Sequence, residues 1–372
     1  MYNYPGGNGY PPPYYPYPPA PTPRRRSVAG RFLILAAIVF GVAYLSVKYQ
    51  EGGTLFPDPT DGSDQGSIGF RILPNDPLID QQYALQRINA PQAWTLTQGD
   101  SNLVVAVIDT GVDASHPDLM GKLVKGYDFV NNDNIPEDMV GHGTFVASLI
   151  AARNNNKDEA GISGIAPNVK IMPLKVMNQN GEGNSLLVGR AIRYAADNGA
   201  KVINLSLGGN SPSRSVKAGV DYALSKGLVI VAAAGNEGDE NNLPNYPASF
   251  AGVISVAATG SRDTAALFSN YNKGVTVSAP GVNILGARSQ TNQICRPYRS
   301  PDYCIASGTS FAAPYVSGTV ALLLSINPKL SVSQVTAILE KSAKDLGPKG
   351  RDDHFGYGRI DAGKAVELAK AA

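Results

Sequence analysis

Apolar residues along the chain fall into short continuous runs separated by longer stretches of mixed polarity. The runs at 103–108 (LVVAVI), 169–176, 201–205, 228–233, 252–257 and 275–278 are short and largely apolar on both sides, the pattern of parallel strands buried on two faces. Residues 185–198 instead place Leu187, Val188, Ala191, Ile192 and Ala195 at helical spacing and stop at Gly199, and residues 213–226 stop at Gly227. A glycine just past the last periodic residue ends a helix because it enters the left-handed conformation without a Cβ clash. Strands alternating with helices predict an α/β domain with a mostly parallel central sheet and helices on both faces.

One apolar run is different. Residues 32–47 (FLILAAIVFGVAYLSV) form 16 positions without a charge, preceded by Arg24, Arg25, Arg26 and Arg31 and followed by Lys48. That is slightly short of the ~20 residues that cross a bilayer, but flanking Arg and Lys can snorkel and 28–30 can lengthen the helix. The excess of arginine before the run predicts a signal-anchor with its N-terminus in the cytoplasm and the rest of the chain outside. No small-x-small cleavage site follows Val39, so the anchor is expected to be retained.

Composition shifts mark the flanks. Within 1–23 lie 9 of the 27 Pro and 6 of the 18 Tyr, with no charged residue; such a segment cannot bury enough surface to fold alone. Residues 1–31 are therefore expected to be a disordered cytoplasmic tail, either a solvated spacer or a docking segment for a cytoplasmic partner. Residues 48–74, rich in Gly, Pro and Asp, read as a flexible extracytoplasmic linker, which leaves 75–372 as one folded domain. A net charge of +2, from 32 basic and 30 acidic side chains, gives no reason to expect nucleic acid as a partner. Two cysteines, Cys295 and Cys304, rule out a disulfide-built scaffold and a four-cysteine metal site.

In open parallel sheets, sites form beyond the carboxyl ends of strands. Asp109 directly follows VVAVI; His142 lies in GHGT ahead of a helical run at 145–152; Asn236 lies in AAAGNEG just past Ala233; Ser310 opens a helical run in SGTSFAAP. A serine is a weak nucleophile until a base takes its proton, and a buried carboxylate fixes that base's tautomer. An amide donor such as Asn236 can stabilise the oxyanion that follows. Singly, each residue reads as a cap, a packed histidine or a turn residue; together they point to acyl transfer. His116 and His354 read as structural.

The motifs DTGVDASHPD, GHGT, INLSLGG, AAAGNEG and SGTSFAAP, in the order Asp, His, Asn, Ser, resemble the subtilisin family of serine peptidases, near its thermitase-like branch, from about residue 75 to the C-terminus. The resemblance implies a subtilisin-like three-layer fold and a monomeric catalytic domain acting on polypeptides. It makes Asp109, His142 and Ser310 a triad and Asn236 the oxyanion donor. It further implies that Gly181, Glu182 and Gly183, and Ser206, Leu207 and Gly208, are two edges between which an extended peptide adds as a strand. Ala233, Ala234 and Gly235 would then wall a pocket for an apolar residue before the cut. Glu182 is a departure toward charge, read as solvated. An idle binding protein or an esterase with the same fold are the competing readings.

By the same resemblance, Asp76 and Asp118 match calcium ligands, with oxygens from the segment Arg153 to Ile162, including Asn155, completing the cage. That loop is about three residues longer than the family pattern. Asp128 and Asp133 resemble part of a second site in which Asn131 replaces an acid. Secreted relatives carry a folded prosegment, whereas only about 28 residues separate the apolar run from the domain here. Cys295 and Cys304 bracket an inserted RPYRSPDY, and outside the cytoplasm they are expected to form a disulfide rather than stay free thiols.

Overall fold

The computed structural model describes residues 74, 76–154 and 161–372. The expected tail, apolar span and most of the linker lie outside the described residues, as does Asn155.

The runs become strands within one or two residues of their expected bounds: β1 (Val104–Asp109), β3 (Lys170–Lys175), β4 (Val202–Leu205), β5 (Val229–Ala233), β6 (Val253–Thr259) and β7 (Val277–Pro280). With the two-residue β2 (Tyr127–Asp128) they form a seven-stranded sheet in the order β2-β3-β1-β4-β5-β6-β7. Every pairing is parallel. The chain moves from β1 out to β3 and then returns to β4 on the other side of β1, so Asp109 ends the strand where the winding reverses. Such a reversal opens a crevice at the carboxyl edge.

Helices surround the sheet: α1 (Tyr83–Arg87), α2 (Ala90–Trp94), α3 (His142–Ala151), α4 (Ser185–Asp197), α5 (Arg214–Ser225), α6 (Thr309–Ile326), α7 (Val332–Ser342) and α8 (Ala362–Ala371). The periodic segments fold as α4 and α5, each burying one apolar stripe as surface helices do. α6 is apolar all round and packs against α3, α8 and strands β4 to β7. Among the described residues it is the one helix long and apolar enough to cross a membrane, but 83% of it is buried inside the fold, which makes it a core helix.

Two departures from the sequence reading bear on the site. Helix α3 begins at His142 itself rather than at 145. A second sheet, antiparallel, joins β8 (Ile284–Ala287), β10 (Ser300–Ala306) and β9 (Pro297–Tyr298) in that order. Its β9–β10 hairpin is polar and Pro-bearing, so no alternation announced it. The Cys295–Cys304 disulfide is formed, across a Cα separation of 5.8 Å.

Close approach of α6 to its neighbours depends on Gly318, where an added Cβ would collide with Cγ2 of Ile165. Helix propensity favours alanine over glycine by about 1 kcal/mol, whereas overpacking costs about 1–3 kcal/mol. Gly318→Ala is therefore expected to lower the melting temperature despite its better propensity, and a raised melting temperature would contradict this packing.

Candidate active site

Asp109 is fully buried at the end of β1. Its Oδ1 accepts the Thr110 backbone N–H at 2.7 Å and the Nδ1–H of His142 at 2.8 Å. With Nδ1 donating to a carboxylate, neutral His142 keeps its lone pair on Nε2. Burial alone would lower the pKa of His142, but the charge and hydrogen bond of Asp109, aided by the charge of Asp138, raise it above the ordinary value. His142 Nε2 and Asp109 Oδ2 are buried without a hydrogen-bond partner among the described residues. Buried polar atoms are nearly always paired, so the unpaired Nε2 leaves an acceptor on the oriented imidazole for a further donor.

Ser310 is the second residue of α6 and 2% exposed. The ring of its neighbour Phe311 lies 5.4 Å from that of His142. The serine hydroxyl donates to the Ser206 carbonyl at 3.2 Å, and the Ser206 hydroxyl donates to the Ser310 carbonyl at 2.7 Å. Asn236, past the end of β5, accepts through Oδ1 from the backbone N–H of Thr309 at 2.8 Å and its hydroxyl at 2.9 Å. Only an amide oxygen can accept from a backbone N–H, so this anchor sets which way the amide points and turns Nδ2 away from Thr309. Beneath it, the Glu237 carboxylate accepts the Asn236 backbone N–H, and burial raises its pKa.

Sequence reasoning missed Asp138. Buried at 2% exposure, its carboxylate accepts from the hydroxyl of Thr110, the N–H groups of Val140, Gly141 and Thr144, and the hydroxyl of Thr144, at 2.6–3.0 Å. The Thr110 hydroxyl in turn accepts the Gly143 N–H at 2.9 Å. Asp138 thereby clamps the turn that delivers His142 to the loop that follows Asp109. Lys175, buried at the end of β3, donates to the Thr110 carbonyl; burial lowers its pKa while Asp138, Asp128 and Asp109 oppose that. One acid among several in a loop gives no periodic signal. Its spacing of four before His142 was the only trace.

The two edge segments lie beyond β3 and β4. Residues 178–182 close as a hairpin, with Asn178 N–H to Glu182 O and Gly181 N–H to Asn178 O, and Met177 bridges Gly183. Gly181 has φ +71°, a region costly for a residue with a Cβ. Glu182 is exposed, and its carboxylate accepts from Asn178 Nδ2 within the same hairpin. Ser206 and Leu207 are buried beside Ser310, and Gly208 lies against the Asn245 side chain. Ala233 ends β5, Ala234 and Gly235 follow it buried, and the Ala233 carbonyl accepts from Asn245 Nδ2.

The expected calcium ligands gather elsewhere. Asp76 and Asp118 are 2% and 0% exposed. Asp76 accepts from the Ser163 hydroxyl at 2.8 Å, and Asp118 Oδ2 from the Ile162 N–H at 3.3 Å. Tyr303 also bonds Asp118, and Arg153 donates its N–H to the Asp118 carbonyl. Burial pushes Asp118 up to about 7, and the charge of Asp76 adds to the rise. Two buried carboxylates that repel one another fit an oxygen-seeking cation. At the second expected site Asp128 accepts from the N–H groups of Val130 and Asn131 and from the Asn131 amide, so the residue standing in for an acid donates to the carboxylate.

The seven-stranded parallel sheet with helices around it is a subtilisin-like α/β fold. The Subtilase family (peptidase S8) matches residues 100–358; the chain belongs to this family and is a serine endopeptidase. It is 43% identical to thermitase of Thermoactinomyces vulgaris, over 79% of this chain and 99% of that protein. It is 42% identical to the thermophilic serine proteinase of Bacillus sp. (strain AK1), over 79% of this chain and 69% of that one. The crystal structure of fervidolysin from Fervidobacterium pennivorans, a keratinolytic enzyme related to subtilisin, matches with a TM-score of 0.71 at 35% identity, covering 79% of this chain and 46% of that one.

Asp138→Asn keeps the shape but loses the charge and one acceptor oxygen. With a hydrogen bond to a charged group worth about 1.5–3 kcal/mol, kcat/KM is expected to fall about ten- to a hundredfold. The acid limb of the pH–rate profile should also move down, since Asp138 helps hold the pKa of His142 up and a general base works in its neutral form. A wild-type acid limb in this variant would show that Asp138 does not act on His142.

Proposed function

We propose that Asp109, His142 and Ser310 work as a catalytic triad and that Asn236, with the Ser310 N–H at the start of α6, stabilises the oxyanion. The observation that carries this reading is the orphaned Nε2 of His142, on an imidazole oriented by Asp109 and next to the residue following Ser310. A side-chain rotation takes the Ser310 hydroxyl from the Ser206 carbonyl to Nε2. Its proton passes to Nε2 as Oγ attacks the scissile carbonyl, while Asp109 stabilises the imidazolium. The same proton then goes to the leaving amine, and water repeats the cycle on the acyl-enzyme. An oxyanion donor of this kind is worth about 10²–10³ in rate, a magnitude that comes from subtilisin itself and is carried over to this chain by kinship.

The substrates are polypeptides. Gly181 to Gly183 and Ser206 to Gly208 would pair with an extended backbone, giving affinity with little sequence demand, and Ala233 to Gly235 would favour an apolar residue before the cut. Asp76, Asp118 and carbonyls near Arg153 and Ile162 would hold a structural calcium ion, which would neutralise their buried charge. The arginine-flanked run at 32–47 supports a membrane tether with the domain at 75–372 outside, joined by the linker at 48–74 and preceded by the cytoplasmic tail at 1–31.

Incubating the full chain with an unfolded protein and, separately, with a fluorophosphonate should give cleavage and labelling, both abolished in Ser310→Ala. Labelling without cleavage would support an esterase, and neither would support an idle protein. A chelator should lower the melting temperature of the wild type, because a ligand that binds only the folded state stabilises it by mass action; an unmoved melt would refute the calcium assignment.

A further inference from the structure

The segment between β8 and β10 runs along the turn that delivers His142. The Thr291 hydroxyl donates to the Asp138 carbonyl at 2.6 Å, the Gln293 backbone N–H to the Val140 carbonyl at 2.8 Å, and Gln293 Nε2 to the Met139 carbonyl at 2.9 Å. The Asn292 side chain lies over Gly141. Gln293 Nε2 also reaches the Gln179 carbonyl at 3.3 Å, inside the hairpin that presents Gly181 and Gly183. One amide nitrogen, with two protons to donate, thus joins the histidine turn to the edge on which substrate is expected to pair.

The placement of Gln293 is itself secured. Ile294 is 3% exposed in the main core, Cys295 is tied to fully buried Cys304, and the Cys295 N–H caps the Asn292 amide oxygen at 3.1 Å. At the far side, His116 Nε2 donates to the Asp302 carbonyl at 2.9 Å and Tyr303 bonds Asp118. An exposed glutamine on a free loop would lose much side-chain entropy in bridging two carbonyls. Gln293 lies next to buried Ile294 and two residues before a cysteine tied to buried Cys304, and its own N–H is bonded to the Val140 carbonyl, so the backbone share of that ordering is already met.

We propose that Gln293 is a positioning residue that fixes the spacing between the His142 turn and the 178–183 hairpin, and so sets affinity for extended peptides, and that the disulfide loop serves to hold it there. The proposal rests on the peptidase reading above. Strand addition needs edge carbonyls and N–H groups at one height relative to Ser310; a single-residue ester does not reach them.

The test compares a long internally quenched peptide with an acyl-amino-acid ester on the full chain. Gln293→Glu has the same shape but no N–H to donate and sets a negative charge against two carbonyl oxygens. One hydrogen bond is worth about 0.5–1.5 kcal/mol, so KM for the long peptide is expected to rise about three- to tenfold, with kcat on the ester at the wild-type value. Gln293→Ala and the Cys295→Ala/Cys304→Ala double variant should show the same split. An unchanged KM for the long peptide in both Gln293 variants overturns the proposal. So does a parallel loss of kcat on both substrates, which would place the effect on His142 itself. Wild-type protein inactive on both substrates and unlabelled by fluorophosphonate would instead sink the peptidase reading, and this proposal with it.

Discussion

The structure turns on a buried negative charge. Asp109 ends a central strand with no exposure, and a carboxylate there persists only if donors meet it. Thr110 and His142 supply them, and much of the surrounding fold follows from bringing that imidazole into place. Helix α3 has to begin at His142, the turn before it has to be held, and the residue after it has to be glycine: a Cβ at 143 would collide with the Gly111 carbonyl. Asp138 holds the turn with five donors and is itself faced by Lys175.

Three buried acids in this molecule show how partners decide what a buried charge can do. Asp109 faces an imidazole whose proton affinity it raises, which is the property a general base needs. Asp138 commits both oxygens to local N–H and O–H groups, which makes it an anchor. Asp118 lies near another carboxylate, and burial with that repulsion lifts it toward neutrality. The residue type is the same in all three; the donors within reach differ, and with them the role.

The segment 289–304 ties these regions together. It touches the histidine turn through Thr291 and Gln293, the hairpin through Gln179, and the Asp118 region through Asp302 and Tyr303. A disulfide nine residues apart in sequence is well suited to such a brace, since it limits how far the loop can stray.

The sequence by itself determined the parallel sheet, because strands buried on two faces must be apolar throughout, and it determined the positions of Asp109, His142, Asn236 and Ser310, because each sits in a short motif just past a strand or at a helix start. It placed the ends of α4 and α5 through Gly199 and Gly227. It did not show Asp138, whose role exists only where Thr110 and Thr144, far apart in the chain, meet it. Nor did it show that the Ser310 hydroxyl rests on Ser206, that Asn131 caps Asp128, or that the polar segment 291–293 lies along the histidine turn. Periodicity and local motifs record what each segment must bury; which polar groups meet across segments is fixed only when the sheet is wound and the loops close, so that part was left to the tertiary structure.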